Sequence, residues 1–523
     1  MAAPLSRPIR RFDLLSIPGL GHFLRWRHAR MALQVPMLVI AALILSDGFF
    51  GPQVAPQNLA GVLPWVHWRG LVVLALLLIG NVFCMACPFM LPRLAAKKLL
   101  PANRTWPSWL RAKWLAAGLL IAFFWAYEAF DFWASPWLTA WVTAAYFLGA
   151  VVVDGFFKGA AFCKYVCPIG QFNFVNSLQS PFEVAIRSAD TCAACTTKDC
   201  IAGRQTPALV PATSTNQAVA RSHAAGATGQ PLPLLPAPSP RTSRRASGRP
   251  QLNGCELWLF QERKVGNLDC TFCLDCIHAC PHDNVGIMTR PPLQDLVRDD
   301  RRSGIGKLAE RPDLAALVLV IVFGGLVNAF GMVSPVYALA AWLATTLGTD
   351  SEALIVLLIV VAGTIVAPAV LVGLTALVSR SLSKSRRPVI QLATLYSFAL
   401  APVGFGMWLA HYSFHFFAGA LTIVPLFQTY LTDIGVPGLG APRWDLAEIM
   451  SPAWSSTAES LFLLLGLAGS LLAADRIART QMRNRRRARI AFLPWAALIV
   501  GLWLAGVWLM GQPMEMRGLL SMR

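Results

Sequence analysis

The sequence predicts an all-α polytopic membrane protein of about nine transmembrane helices, with a small α+β domain inserted after the fourth. Two observations set this class. The 523 residues are 56% hydrophobic and only 14% charged, with a mean hydropathy of +0.54, more apolar than a soluble core requires. Eight of the 12 cysteines lie between Cys192 and Cys280, in a polar interval that separates two apolar halves. The net charge of +19 fits basic loops on the cytoplasmic side of a membrane rather than a nucleic-acid surface. No nucleic-acid module, P-loop or dinucleotide fingerprint is present, so neither a nucleic-acid partner nor a bound nucleotide is expected.

The N-terminal membrane domain covers residues 1–182. Its first 30 residues carry Arg7, Arg10, Arg11, Arg25, Arg27 and Arg30 and read as a cytoplasmic anchor. Arg10-Arg11-Phe12 is a poor secretion signal, because the next apolar run starts near Met31 with no cleavage site. Spans are expected at about 31–50, 70–90, 113–132 and 137–157, with Pro52, Pro56, Pro64 and His67 in the first loop. The second span ends in Cys84-Met-Ala-Cys87-Pro88 and the fourth in Cys163-Lys-Tyr-Val-Cys167-Pro168. Arg93, Lys97, Lys98 and Arg104 place the first of these ends in the cytoplasm. Gly80-Asn-Val-Phe83-Cys84 repeats in Gly159-Ala-Ala-Phe162-Cys163, so two related hairpins each carry a thiol pair at one membrane face.

The C-terminal membrane domain covers 291–523, with spans expected at about 313–333, 353–378, 388–411, 459–475 and 491–511. Residues 335–352 are assigned an interfacial helix. Basic loops at Arg380–Arg387 and Arg476–Arg489 are cytoplasmic, and 412–458, poor in basic residues, is periplasmic. The expected topology places the N-terminus in the cytoplasm and the C-terminus outside a bacterial inner membrane.

Residues 183–290 form the inserted domain. Cys270-x2-Cys273-x2-Cys276-x3-Cys280-Pro281 has the spacing at which bacterial ferredoxins hold [4Fe–4S] clusters. The fourth cysteine of that spacing ligates a second cluster, so a second motif is expected. Cys192-x2-Cys195-x4-Cys200 supplies three thiols, and Cys255 a fourth after a long gap. Cluster one is assigned to Cys192, Cys195, Cys200 and Cys280, and cluster two to Cys270, Cys273, Cys276 and Cys255. The domain therefore reads as a ferredoxin-like bis-[4Fe–4S] unit. The x4 spacing and the missing proline after Cys255 depart from the motif, and a spare thiol is the alternative for Cys255. Zinc sites more often use two separated C-x2-C pairs. Residues 204–250, rich in Pro, Ser, Ala, Thr and Arg, read as a disordered insert.

Three readings are open for Cys84, Cys87, Cys163 and Cys167: a further iron–sulfur or metal site, a dithiol relay, or buried structural thiols. Asp154 is expected to pair with Lys158 along its helix. His411, His415, Met514 and Met516, with His67 on the same side, form a candidate periplasmic copper site. They could equally flank a quinone or a haem, or bind nothing. A membrane bis-histidine haem is not expected, because no other span interior carries a histidine.

The first four spans plus the cysteine domain resemble the NosR/NapH polyferredoxin family, which includes the CcoG-type copper reductases. The resemblance covers about residues 31–290 and rests on paired C-x3-C-P motifs. Cys163-x3-Cys167-Pro168 matches fully, and Cys84-x2-Cys87-Pro88 is one residue short. It implies two cytoplasmic [4Fe–4S] clusters that pass electrons between the quinone pool, or a cytoplasmic donor, and a partner redox complex. The chain departs in lacking a periplasmic flavin domain, a C-x-x-C-H haem motif and a C-terminal soluble domain. Five further spans take their place, an arrangement similar to FesM-type membrane iron–sulfur proteins. The expected role is an electron carrier or oxidoreductase subunit. A copper or iron reductase working at the periplasmic face, and an assembly or anchor protein for a redox complex, are the rivals.

Overall fold

The structure is a computed structural model that describes residues 11–100, 103–203, 252–296, 301–436, 440–448, 452–482 and 484–513. The insert expected over 204–250 and the candidate ligands Met514 and Met516 lie outside the described residues.

Among the described residues, eight helices are long and apolar enough to cross a membrane: Ala29–Phe50, Leu59–Leu78, Pro136–Phe156, Pro312–Phe330, Glu352–Ser383, Val389–Asp433, Trp454–Gln481 and Arg485–Met510. The chain is thus a helical, multi-pass membrane protein. Capping side chains fix several helix starts. The Ser135 hydroxyl accepts the Leu138 amide at 3.3 Å, and the Asn484 side chain accepts the Arg486 amide at 2.9 Å.

Two expectations are corrected and a third is met in a shorter form. The span expected at 113–132 is the apolar helix Trp114–Ala129, whose 16 residues, about 24 Å at 1.5 Å per residue, leave it out of the eight. The second span starts upstream of the expected 70–90, at Leu59, so Pro64 and His67 sit inside a helix. Asn58 makes this possible: it caps the Ala60 amide and donates to the Asp47 and Pro52 carbonyls. A π-turn over Leu63–Trp68 then takes up the proline's missing donor. The seventh span continues past His411 to Asp433, through short turns at Phe398–Leu400 and Ala420–Thr422. Its aromatic stretch after His411, expected in a periplasmic connection, packs on Leu59–Leu78; Tyr412 and Phe416, for example, close over Gly70. A helix, Ser334–Leu347, occupies the connection where an interfacial helix was expected.

One hydrophobic core runs through both apolar halves. Trp408, fully buried, donates its indole N–H to the Ile321 carbonyl at 2.9 Å. Its ring meets Phe124 and Phe172 of the N-terminal half at 5.9 and 5.3 Å between centroids. The cysteine-bearing segment is closed at its base by a two-stranded antiparallel sheet. Strand β1 (Phe182–Ile186) pairs with β2 (Val285–Thr289), from Phe182 opposite Thr289 to Ile186 opposite Val285. Asp13 bridges to Met288, so the N-terminal segment lies along this sheet.

Candidate functional site

All 12 cysteines are free of disulfides. The thiols of the inserted domain gather in two groups. Burial, with the neighbouring Cys192, Cys280 and Cys195, pushes the Cys200 thiol up to about 11. Cys195 is the exception in this group. The Lys198 backbone N–H points at its sulfur and lowers it to about 7. In the second group, burial holds Cys276 well above the usual thiol range, and Cys255 and Cys270 add to the effect. Cys273 is raised in the same way, with Cys255 and Cys276 among its neighbours. The two groups touch. The Cys255 amide donates to the Cys200 carbonyl at 2.9 Å, and one helical turn, Asp275–Ala279, runs from Cys276 to just before Cys280.

The backbone between these cysteines is unusual. Phe272 and Leu274 take φ of 53° and 64°, and Lys198 takes 51°. Left-handed conformations cost a non-glycine residue roughly 1–2 kcal/mol. They also turn successive N–H groups to one side, which makes a concavity for an anion. Amides reach sulfur directly: Leu259 N–H lies 3.4 Å from Cys255 Sγ, and Asn284 N–H 3.3 Å from Cys280 Sγ. A thiolate-bound iron–sulfur cluster is anionic, so these residues fit one. Among the described residues no three His, Cys, Asp or Glu side chains converge on one metal-ion point.

The domain docks on the two repeated hairpins through their glycines. Gly80 (φ +112°) and Gly159 (φ +78°) end the preceding chain in conformations that side chains rarely adopt. A Cβ on Gly80 would lie 3.1 Å from the Phe272 ring, and one on Gly159 would lie 2.8 Å from the Glu256 carbonyl. Asn81 caps the next short helix through the Cys84 amide and donates to the Cys270 carbonyl at 3.1 Å. Arg93, 1% exposed, pairs with Asp154 at 2.9 Å and with Glu256. The expected Asp154–Lys158 pair is therefore replaced by one between helices. Lys113 Nζ bonds Asp269 at 2.8 Å and Gln171 at 2.9 Å, and Arg30 meets Asp275 at 3.3 Å. Arg93, Glu256, Asn81 and Lys113 are site residues that spacing alone did not reveal. Arg93, five residues after the Cys87-Pro88 motif, is the one signal that could have pointed to a cation here.

The four hairpin thiols meet in one narrow, apolar-walled cavity. Cys84, Cys87, Cys163 and Cys167 all line it, with Arg93 and Thr271 at its edges. The one-residue difference between the motifs argues from sequence against a single shared site. The structure absorbs it. The first motif rides on an α-turn, Val82–Ala86, and the second on a π-turn, Phe162–Val166, closed by Cys167 N–H to Phe162 O at 2.8 Å. Cys87 and Cys167 then leave their helices with matching backbone angles, −56°/125° and −63°/112°.

A second, larger cavity of ≈ 480 Å³ adjoins the first and shares Phe83, Phe89 and Ile169 with it. Its lining is almost wholly apolar, with His67, Arg69, Thr143 and Tyr146 as polar points. Arg69 lies over the Trp65 and Tyr127 rings, 4.3 and 4.5 Å from their centroids. The candidate copper ligands do not assemble among the described residues. His411 and His415 are neighbours at 5.0 Å between rings, but His67 Nε2 faces the Ala420 carbonyl at 3.1 Å. The chain matches no protein-family model, no curated protein and no solved structure.

Proposed function

We propose that this chain is a membrane-bound iron–sulfur electron-transfer protein, of the kind its resemblance to membrane polyferredoxins implies. Cys192, Cys195, Cys200 and Cys280 would hold one [4Fe–4S] cluster, and Cys270, Cys273, Cys276 and Cys255 the other. A [4Fe–4S] cluster supplies one-electron transfer with no bond made or broken. The protein's residues do the rest. The left-handed turns and amides neutralise anionic sulfur, and Arg30 and Lys113 anchor the loops that carry it. Glu256, beside Cys255, is tied to Arg93 at the membrane thiols, so the route is rigid. The observation that carries the reading is the pair of adjoining four-thiol groups seated directly on the membrane hairpins.

The partner on the membrane side is the quinone pool or a redox complex. The apolar cavity beside the hairpin thiols supports a quinone, since lipid-soluble ligands take cavities of this size and lining. In this reading the domain faces the cytoplasm of a bacterial inner membrane, as the basic loops direct. The test is EPR of the reduced, anaerobically purified chain. Two cluster signals are expected, with Cys273→Ser removing one and Cys195→Ser the other. A chain without iron–sulfur signals would sink the reading.

A further inference from the structure

We infer that the four hairpin thiols, Cys84, Cys87, Cys163 and Cys167, hold a third iron–sulfur cluster at the membrane face. This inference rests on the electron-transfer reading of the inserted domain and extends it into the membrane. Three independent observations carry it.

First, the thiols line one cavity, although they come from two hairpins 79 positions apart by the offset of Cys84 from Cys163. Each lies within electrostatic reach of others in the set: Cys167 of Cys163, Cys87 and Cys84, and Cys87 of Cys163 and Cys84. The π-turn at Phe162–Val166 brings the longer motif into the backbone geometry of the shorter one. Such inserted turns concentrate at functional sites.

Second, three of the four sulfurs already face donors. Asn173 Nδ2 lies 3.4 Å from Cys84 Sγ, Gly170 N–H 3.3 Å from Cys167 Sγ, and Arg93 3.9 Å from Cys163 Sγ. N–H groups aimed at thiolate sulfur are among the groups that set a cluster's potential. Arg93 brings a buried guanidinium N–H to the Cys163 sulfur while it pairs with Asp154 and Glu256.

Third, the site lies in line. Cys84 is within electrostatic reach of Cys270, and Asn81 ties the two loops together. The larger apolar cavity shares Phe83, Phe89 and Ile169 with this site. A cluster held here would exchange single electrons with the one that Cys270 would help to hold, each electron lost by one centre being gained by the other, with no bond made or broken.

The test is iron, zinc and acid-labile sulfide per full-length chain, purified anaerobically in detergent. Two clusters alone give about eight irons, two times four. The inference expects about ten to twelve, falling by two to four in Cys84→Ser/Cys163→Ser while the soluble-cluster EPR signals persist. A wild-type count of about eight overturns the third cluster and leaves the two-cluster reading standing. Below eight, the variants decide. Iron lost with Cys84 and Cys163 but kept in Cys195→Ser/Cys273→Ser supports the membrane site and overturns the soluble ones; the reverse overturns the membrane site. One zinc per chain that disappears with Cys84 and Cys163 also overturns it. Asn173→Leu removes a donor to sulfur and no ligand. It is expected to shift the extra EPR signal or its potential and to leave the soluble signals in place; an unshifted extra signal counts against the assignment.

Discussion

At the scale of single residues, Arg93 is the group on which the site turns. Its guanidinium is buried between Asp154, itself fully buried, and Glu256. Removing one partner of a buried pair leaves an uncompensated charge, a loss of roughly 3–5 kcal/mol. Arg93→Met should lower unfolding stability in detergent by about that amount. A loss below about 1 kcal/mol would mean that water reaches the pair. A local rule selects Lys158, four residues after Asp154, as the partner. The structure selects a cation from another helix, and no spacing within one helix encodes that choice. The glycines permit a sharper comparison. Gly159→Ala puts a methyl 2.8 Å from a backbone oxygen at positive φ, whereas Gly118→Ala meets nothing within 4 Å. The first should lower the thermal midpoint and release the soluble domain to limited proteolysis. The second should leave the midpoint level or raise it, because alanine is favoured over glycine inside a helix by roughly 0.5–1 kcal/mol. Equal effects at the two positions would show that close docking at Gly159 is unimportant.

At the scale of elements, the helical class, most span positions and the hairpin repeat are legible in the sequence, because each is a local pattern. The repeat of Gly80 through Cys84 in Gly159 through Cys163 reappears as a positive-φ glycine, one short helical turn and a cysteine–proline exit. What is not legible is where helices tolerate irregularity. Pro64 reads as a loop residue, yet the Asn58 cap and a π-turn keep it in a helix. The stretch after His411 reads as a periplasmic segment outside the span, yet it continues as helix and packs on another. The π-turn in the second motif has the same origin, since the extra residue is accommodated only because the flanking helices are fixed. This predicts an asymmetric tolerance. Inserting one alanine after Met85 should be absorbed as a second π-turn, with iron content and thermal midpoint near wild type. Inserting two swings Cys87 by roughly 200° about the helix and should disrupt the cavity. If both insertions behave alike, the turns do not set the thiol positions.

At the scale of the whole molecule, the inserted domain is held at its base by β1 and β2 and on its flank by the hairpins. The segment between Gly203 and Leu252 lies outside the described residues. The ends of that segment are already fastened: the Cys255 amide bonds the Cys200 carbonyl at 2.9 Å, and a Cβ on Gly203 would lie 2.6 Å from the Leu252 carbonyl. The composition of 204–250 predicts disorder, and a disordered connection acts on stability only through closure entropy. Closure entropy scales with the logarithm of length. Replacing residues 205–250 by a linker of about five Gly/Ser residues should therefore raise stability by about 2 kcal/mol, from (3/2)RT times the logarithm of a roughly ninefold shortening. Iron content and both soluble EPR signals should be unchanged, because all eight cysteines assigned to the two soluble clusters lie outside the deleted residues. Loss of about four irons on deletion, with the chain still folded, would mean that the insert helps to shape the site at Cys200 and Cys255. Unchanged iron with no gain in stability would mean that the segment is ordered in the native protein, so that its deletion forfeits contacts worth as much as the closure entropy it relieves.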